Sequence, residues 1–161
     1  MIPKIASSGV LFWFLHYVAF AQQTQPLTRF LNPPGMTVPK GYSQLVEIDL
    51  GTARMVLISG QVAMDATGNV VGKGDPTLQF EQIFRNLQTA VESVRGTMEN
   101  IVKLTFFVRN VAYLPAAREA RDKYINREQP PTSTAVEVSN LFRPEFLAEV
   151  EATVIIPKNK P

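Results

Sequence analysis

Hydrophobic positions along the chain change their period several times, and each change marks an element. From Tyr42 to Leu50 and from Arg54 to Ser59 the chain reads as two strand-like runs separated by Gly51, which predicts a hairpin. Asp65-Ala66-Thr67-Gly68-Asn69 is a turn cluster. Asp75-Pro76 then offers an N-cap and a first-turn proline. Behind it Phe80, Ile83, Phe84, Leu87, Val91, Val94 and Met98 recur at helical spacing, predicting a long amphipathic helix over 76–96 that stops at Gly96. Ile101 to Arg109 is β-branched and aromatic, a buried strand. Tyr113, Ala116, Ala117, Ala120 and Tyr124 mark a second helix whose alanines permit close approach to a sheet, and Pro130-Pro131 ends that unit. Two more strands follow, Thr132 to Ser139 and Phe146 to Ile156. The order β-β-α-β-α-β-β, without repeats, predicts a single α+β domain with both helices on one face of a mixed sheet.

The last strand shows what the other face must do. Phe146, Ala148, Val150, Ala152, Val154 and Ile156 form one apolar row, expected under the helices. Leu147, Glu149, Glu151, Thr153 and Ile155 form the opposite row, apolar at its ends around two carboxylates. A mixed face of this kind is explained by packing against other subunits, so an oligomer is expected.

The ends differ from the middle. Residues 1–21 place Lys4 before the apolar stretch Val10–Phe20 and an Ala19-Phe20-Ala21 cleavage pattern, the layout of a signal peptide. The run is too short for a stable anchor across about 30 Å of hydrocarbon, so no lasting membrane association is expected after cleavage. The protein is therefore expected to be secreted, or periplasmic if its source is a Gram-negative bacterium. Residues 22–40 are polar and Pro-rich and read as an extended lead-in to a domain over 41–157, with 158–161 a short tail. Without Lys4, fifteen Lys and Arg face fourteen Asp and Glu. That near-neutral balance, with no basic run interleaved with aromatics, argues against nucleic acid as a partner.

Composition narrows the chemistry. The chain has no Cys, and its one His, His16, and one Trp, Trp13, both lie in the leader. A Ser–His–Asp triad, a thiol nucleophile, a His base and the commonest transition-metal ligands are excluded from the domain. Carboxylates, hydroxyls and backbone amides remain. Glu149 and Glu151 project from one strand face, and Glu137 shares its side with Ser133. Clustered carboxylates raise one another's pKa, which makes an acid–base group; on spacing alone, solvated or salt-bridged strand residues are the plainer reading. Gly60 permits close approach to the end of the second strand, where Ser59 offers a hydroxyl. Ser133, in Thr132-Ser133-Thr134, has no base beside it and reads as a hydrogen-bond donor. Gly72-Lys73-Gly74 lacks the spacing of a phosphate loop and reads as a turn. The residues alone point to a small-molecule pocket between subunits.

The order of these pieces carries more. Gly41-Tyr42-Ser43-Gln44, Ile58-Ser59-Gly60-Gln61, a helix around Phe84-Arg85-Asn86-Leu87, Phe107-Val108-Arg109-Asn110, Pro131 to Glu137-Val138, and Glu149-Val150-Glu151-Ala152 together resemble the Rid (reactive intermediate deaminase) or YjgF family over about residues 36–157. The resemblance implies a chorismate-mutase-like homotrimer with a pocket at each subunit interface. It also implies hydrolysis of 2-imino acids, the tautomers of enamines, to 2-keto acids and ammonia, with no metal and no cofactor. By position, Tyr42, Ser59, Gly60 and Phe107 match the family's pocket, and Glu149 matches the Glu that positions water. Ser133 stands where deaminating members carry the Arg that holds the substrate carboxylate. Charge-assisted hydrogen bonds are worth about 1.5–3 kcal/mol each against about 0.5–1.5 for a neutral one. The expected substrate is therefore an imine other than a simple 2-imino acid, neutral or with an acid group reaching Arg143; Arg109 and Arg54 are further substitutes. The alternative expectation is a non-catalytic trimer that binds a small carboxylate or other metabolite in the same cleft. A ribonuclease-like activity, attached to parts of the family, is disfavoured by the missing His and basic patch.

Overall fold

The computed structural model describes residues 26–158, so the expected signal peptide over 1–21 lies outside the described residues. Eight regular elements follow in order: β1 (Thr28–Leu31), β2 (Leu45–Asp49), β3 (Ala53–Val62), α1 (Pro76–Ser93), β4 (Ile101–Val108), α2 (Leu114–Arg121), β5 (Thr132–Glu137) and β6 (Ala148–Pro157). The strands make one six-stranded sheet in the order β1-β2-β3-β6-β4-β5. Only β4 and β5 pair in parallel; the other pairs are antiparallel, so the sheet is mixed as expected.

The helices cover one face. Asp75 caps α1 through its carboxylate, which accepts from the Thr77 and Leu78 amides at 2.9 and 3.1 Å, with Pro76 in the first turn. Phe80, Ile83, Phe84 and Leu87 are completely buried against Val56, Leu104, Val150 and Val154. Each such side chain contributes about 1.5–3 kcal/mol on burial, so this layer is the main source of stability. The row Ala148, Val150, Ala152, Val154 and Ile156 is buried beneath the helices, as the alternation predicts.

Several expected boundaries move. The lead-in over 22–40 is not simply extended: Thr28–Leu31 pairs with β2 as an edge strand. Its Arg29 reaches Glu47, and Glu47 is also held by Arg54, whose Nη2 donates to the Val94 carbonyl at 2.9 Å. This ion-paired group ties β1, β2, β3 and the end of α1 together, which hydropathy alone does not reveal. The helix ends at Ser93 rather than 96. Arg95, not Gly96, takes the left-handed position (φ 59°). Gly96 is needed for space, since a Cβ there would lie 2.9 Å from Ile156 Cδ1. The second strand does not stop at Ser59 but runs on to Val62, and the last strand begins at Ala148, not Phe146.

Candidate functional site

The continuation of β3 past Ser59 builds the site. Ile58 pairs with Ala152 and Gln61 with Val150, so three steps on β3 match two on β6: a β-bulge at Ser59-Gly60. Two buried amides hold it. Gln61 Nε2 donates to Gln44 Oε1 at 3.0 Å and to the Ser59 carbonyl at 2.9 Å, while Gln44 Nε2 donates to the Thr37 carbonyl at 2.8 Å. The Ser59 hydroxyl donates to the Ser43 carbonyl at 2.7 Å, fixing its orientation beside Tyr42.

Glu149 lies across this bulge. A Cβ placed on Gly60 would sit 1.7 Å from Glu149 Oε1 and 2.6 Å from its Cδ. The glycine is thus required by the carboxylate packed on its backbone. Burial raises the Glu149 pKa, and the like charge of Glu151 raises it further. The contribution of Glu151 to the Glu149 shift is the one expected from a carboxylate one pleat repeat away, and burial is the larger cause.

Register assigns the remaining residues to faces. Phe107, Glu149 and Val136 are direct partners across β4, β6 and β5, as are Thr105, Glu151 and Thr134. These side chains share the face without helices. There Phe107, Glu149 and Glu151 line a depression of about 450 Å³ with Asn140, Leu141 and Phe142. A second depression of about 510 Å³ contains Tyr42, Ser59, Phe30 and Val46. Contact of Glu149 with Gly60, next to Ser59, links the two.

Ser133 is not brought to Glu149 within one chain. It is the partner of Leu104, which is the partner of Ala152, so it faces the helix side together with Ala135 and Glu137. The Glu137 carboxylate accepts from the Val111 amide at 2.8 Å and takes no part in the Glu149 cluster. The three arginines expected to replace the missing one are otherwise engaged. Arg143 stacks 5.2 Å from the Phe146 ring centroid and pairs with Glu145. Arg109 donates to the Pro144 carbonyl at 3.0 Å, and Arg54 holds Glu47.

The residues missed by sequence reasoning are Gln44 and Gln61, which support the bulge, and Asn140 and Phe142, which border Glu149. The glutamines carried a signal: each is a long polar residue next to a strand core, and both prove buried. Asn140 and Phe142 lie in an irregular connection, where periodicity gives no information. The polar groups at the site are the Glu149 and Glu151 carboxylates, the Tyr42 and Ser59 hydroxyls and the Asn140 amide, a set suited to holding and polarising a water molecule.

Comparison with known proteins converges on the same fold. A family model described as Endoribonuclease L-PSP matches residues 36–156. A Dermatophagoides farinae protein named 2-iminobutanoate/2-iminopropanoate deaminase is 30% identical over 129 residues, 80% of this chain and 96% of that one. The crystal structure of the E. coli YjgF gene product is 26% identical with a TM-score of 0.66, over 79% of this chain and 98% of that one. Yeast Mmf1, at 20% identity, shares the fold with a TM-score of 0.71 over 81% and 99%.

Proposed function

The chain belongs to the Rid/YjgF, or endoribonuclease L-PSP, family, and from that premise we propose that it hydrolyses a small imine, or its enamine tautomer, to a carbonyl compound and ammonia. The observation that carries this reading is the Glu149 carboxylate packed on the Gly60 backbone, half-buried, with its pKa raised. As water adds to the imine carbon, Glu149 takes its proton and the C=N bond becomes a C–N single bond. Glu149 then returns the proton to nitrogen, giving a carbinolamine; it next takes the carbinol hydroxyl proton and passes it to the same nitrogen, so the C–N bond breaks to release ammonia as the carbonyl forms. A carboxylate with a raised pKa serves in both directions, because it is a stronger base than an ordinary carboxylate while its conjugate acid still gives the proton back.

Tyr42, Ser59, Gly60 and Phe107 would line the same pocket. A cyclic homotrimer would complete it by setting the β5 edge of one subunit, with Ser133, against the Glu149 face of the next. Phe30, Leu57, Val136 and Phe142 are exposed on the bare side of the sheet or beside it, which supports such an assembly. No free arginine stands at Glu149, which favours a neutral imine, or one whose acid group reaches Arg143 at the edge. Export through the leader at 1–21 is part of the reading. Mass measurement of protein recovered outside the cytoplasm should give a chain starting at Gln22, and an intact chain retained in the cytoplasm would refute export.

The deciding experiment follows ammonia release from imines generated in situ from several amino acids, with the purified protein. Acceleration that falls by at least about 100-fold in Glu149→Gln supports the hydrolase. If a folded protein accelerates no imine, the hydrolase fails. The engagement of all three substitute arginines then favours the second reading, a metabolite-binding trimer.

A further inference from the structure

At the β1 end of the sheet, beside the last turn of α1, lies an open cavity of about 610 Å³. Its walls are the Asn32-Pro33-Pro34 segment and residues 93–95; its floor is β1, β2 and the start of β3. Arg29, Glu47 and Val56 are direct partners across those strands, and Val56 is buried under the helices. The cavity is therefore on the helix side, on the opposite face of the sheet from Glu149.

The charges in it do not balance. Three guanidiniums, Arg29, Arg54 and Arg95, line it with one carboxylate, Glu47, which leaves two positive charges in excess. Glu47 accepts from Arg29 Nη1 at 3.3 Å and from Arg54 Nη1, and Arg54 Nη2 donates to the Val94 carbonyl at 2.9 Å. These bonds fix the two guanidiniums without exhausting them, since each carries five N–H donors. Asn32 accepts the Gln44 amide on Oδ1 at 2.9 Å, so its Nδ2 keeps both protons to give.

Arg95 is the telling residue. It has no ion pair and no side-chain hydrogen bond among the described residues. Its backbone takes the left-handed conformation, φ 59°, which suits glycine and disfavours a residue with a Cβ. At the end of a helix this position is usually glycine. The backbone gains nothing from an arginine there; the cavity gains its third guanidinium.

We propose that this cavity is a binding site for the phosphomonoester of a small polyol. Its two excess positive charges match the dianion that such an ester carries at neutral pH, and guanidinium forks fit phosphate oxygens. The volume falls within the roughly 300–1,000 Å³ of small-molecule sites, so an organic portion is accommodated beside the phosphate. No aromatic ring lines the cavity to stack a nucleobase, whereas Asn32 offers donors to hydroxyls. The inference does not rest on the imine reading.

Glucose 6-phosphate tests it by calorimetric titration of the full chain at about pH 7.5, above the ester's second pKa near 6. Glucose 6-sulfate, of similar shape with a single charge, should bind at least about tenfold more weakly. Arg95→Gly should weaken glucose 6-phosphate about 10- to 100-fold while unfolding at or above the parent's temperature, because glycine relieves the left-handed strain. Arg95→Gln, which keeps the strain, should weaken it by a similar factor. Arg85→Gln removes an exposed charge further back on α1 and should change nothing. Failure to bind glucose 6-phosphate, equal affinity for the sulfate, undiminished affinity in both Arg95 variants, or an equal loss in Arg85→Gln would overturn the proposal. Glu149→Gln should leave this binding intact while abolishing imine turnover, so either reading is open to failing alone.

Discussion

The two faces of this sheet are built from alternate residues of the same strands, yet they meet opposite demands. Under the helices, Val150, Val154, Leu104 and Phe106 close against α1 and leave almost no surface. One residue along, the other face shows Glu149, Glu151, Thr105 and Phe107, with Leu57 and Phe30 standing exposed. The first arrangement stabilises the chain; the second costs it something, since a desolvated carboxylate and bare apolar groups are unfavourable in an isolated subunit. The stabilising layer and the candidate site are separated here by a single pleat. A substitution one residue away along a strand should therefore produce a different kind of failure, not merely a different degree of it.

The largest expected effect lies on the covered face. Phe84→Ala should lower unfolding stability by about 3–5 kcal/mol, read by denaturant titration. A loss below about 1 kcal/mol would mean that the helix layer is not the source of stability. Gly60→Ala is the counterpart on the bare face. The added methyl collides with the flexible end of Glu149, so the fold should survive while turnover drops about a hundredfold, as for an ångström-scale misplacement of a catalytic group. Should imine turnover persist unchanged, the packing of Glu149 on Gly60 would be irrelevant to the chemistry.

Leu57→Lys probes the bare face away from the carboxylates. If the proposed trimer forms, sedimentation of this variant should show smaller species than the parent at equal concentration, with the helical circular dichroism unchanged. An unaltered assembly would remove this part of the face from any subunit contact.

The smallest effects are titrations, and they have opposite signs. The folded-state pKa of Glu149 is raised, so the folded protein holds that proton more tightly than the unfolded chain does. Its stabilising contribution is complete below the unfolded value, about 4.3, and is lost as pH rises through the folded one. Glu149→Gln should accordingly gain stability relative to the parent at neutral pH. Asp65 is the reverse. The Thr67 hydroxyl and the Asn69 amide, among other donors, lower its pKa to about 2, so its contribution is present above about 3.9 and disappears as pH falls toward 2. NMR titration of the two carboxyls would settle both signs. Coincident midpoints would erase the distinction between a turn carboxylate and a site carboxylate.

Much of the covered face was legible in the sequence because burial against helices leaves a periodic trace. Asp75, the spacing from Phe80 to Val91, and the alternation along β6 each record it. β1 was not legible, because its residues are exposed and its attachment depends on Arg29 meeting a glutamate eighteen positions away. The bulge at Ser59-Gly60 escaped because an inserted residue breaks alternation in the same way as a strand end. Glu149 was found from its place in an ordered set of motifs. Its meeting with Gly60 is a matter of inter-strand register, which no local window contains. The separation of Ser133 from Glu149 followed from parity across three strands, and that too is known only once pairing is known.

The strand order has a consequence for how the molecule comes into being. β3 and β4 never touch as neighbours; β6 lies between them and pairs with both. A nascent chain that has emerged as far as β5 therefore holds two separate pieces of sheet, an N-terminal three-stranded one and a β4–β5 pair, with nothing joining them edge to edge. β6, which follows β5 in the chain, supplies the join, and it also carries Glu149. Long-range pairing of this kind slows folding. Until it occurs, the growing chain has neither a closed core nor the carboxylate of the candidate site, and sheet and site are completed together.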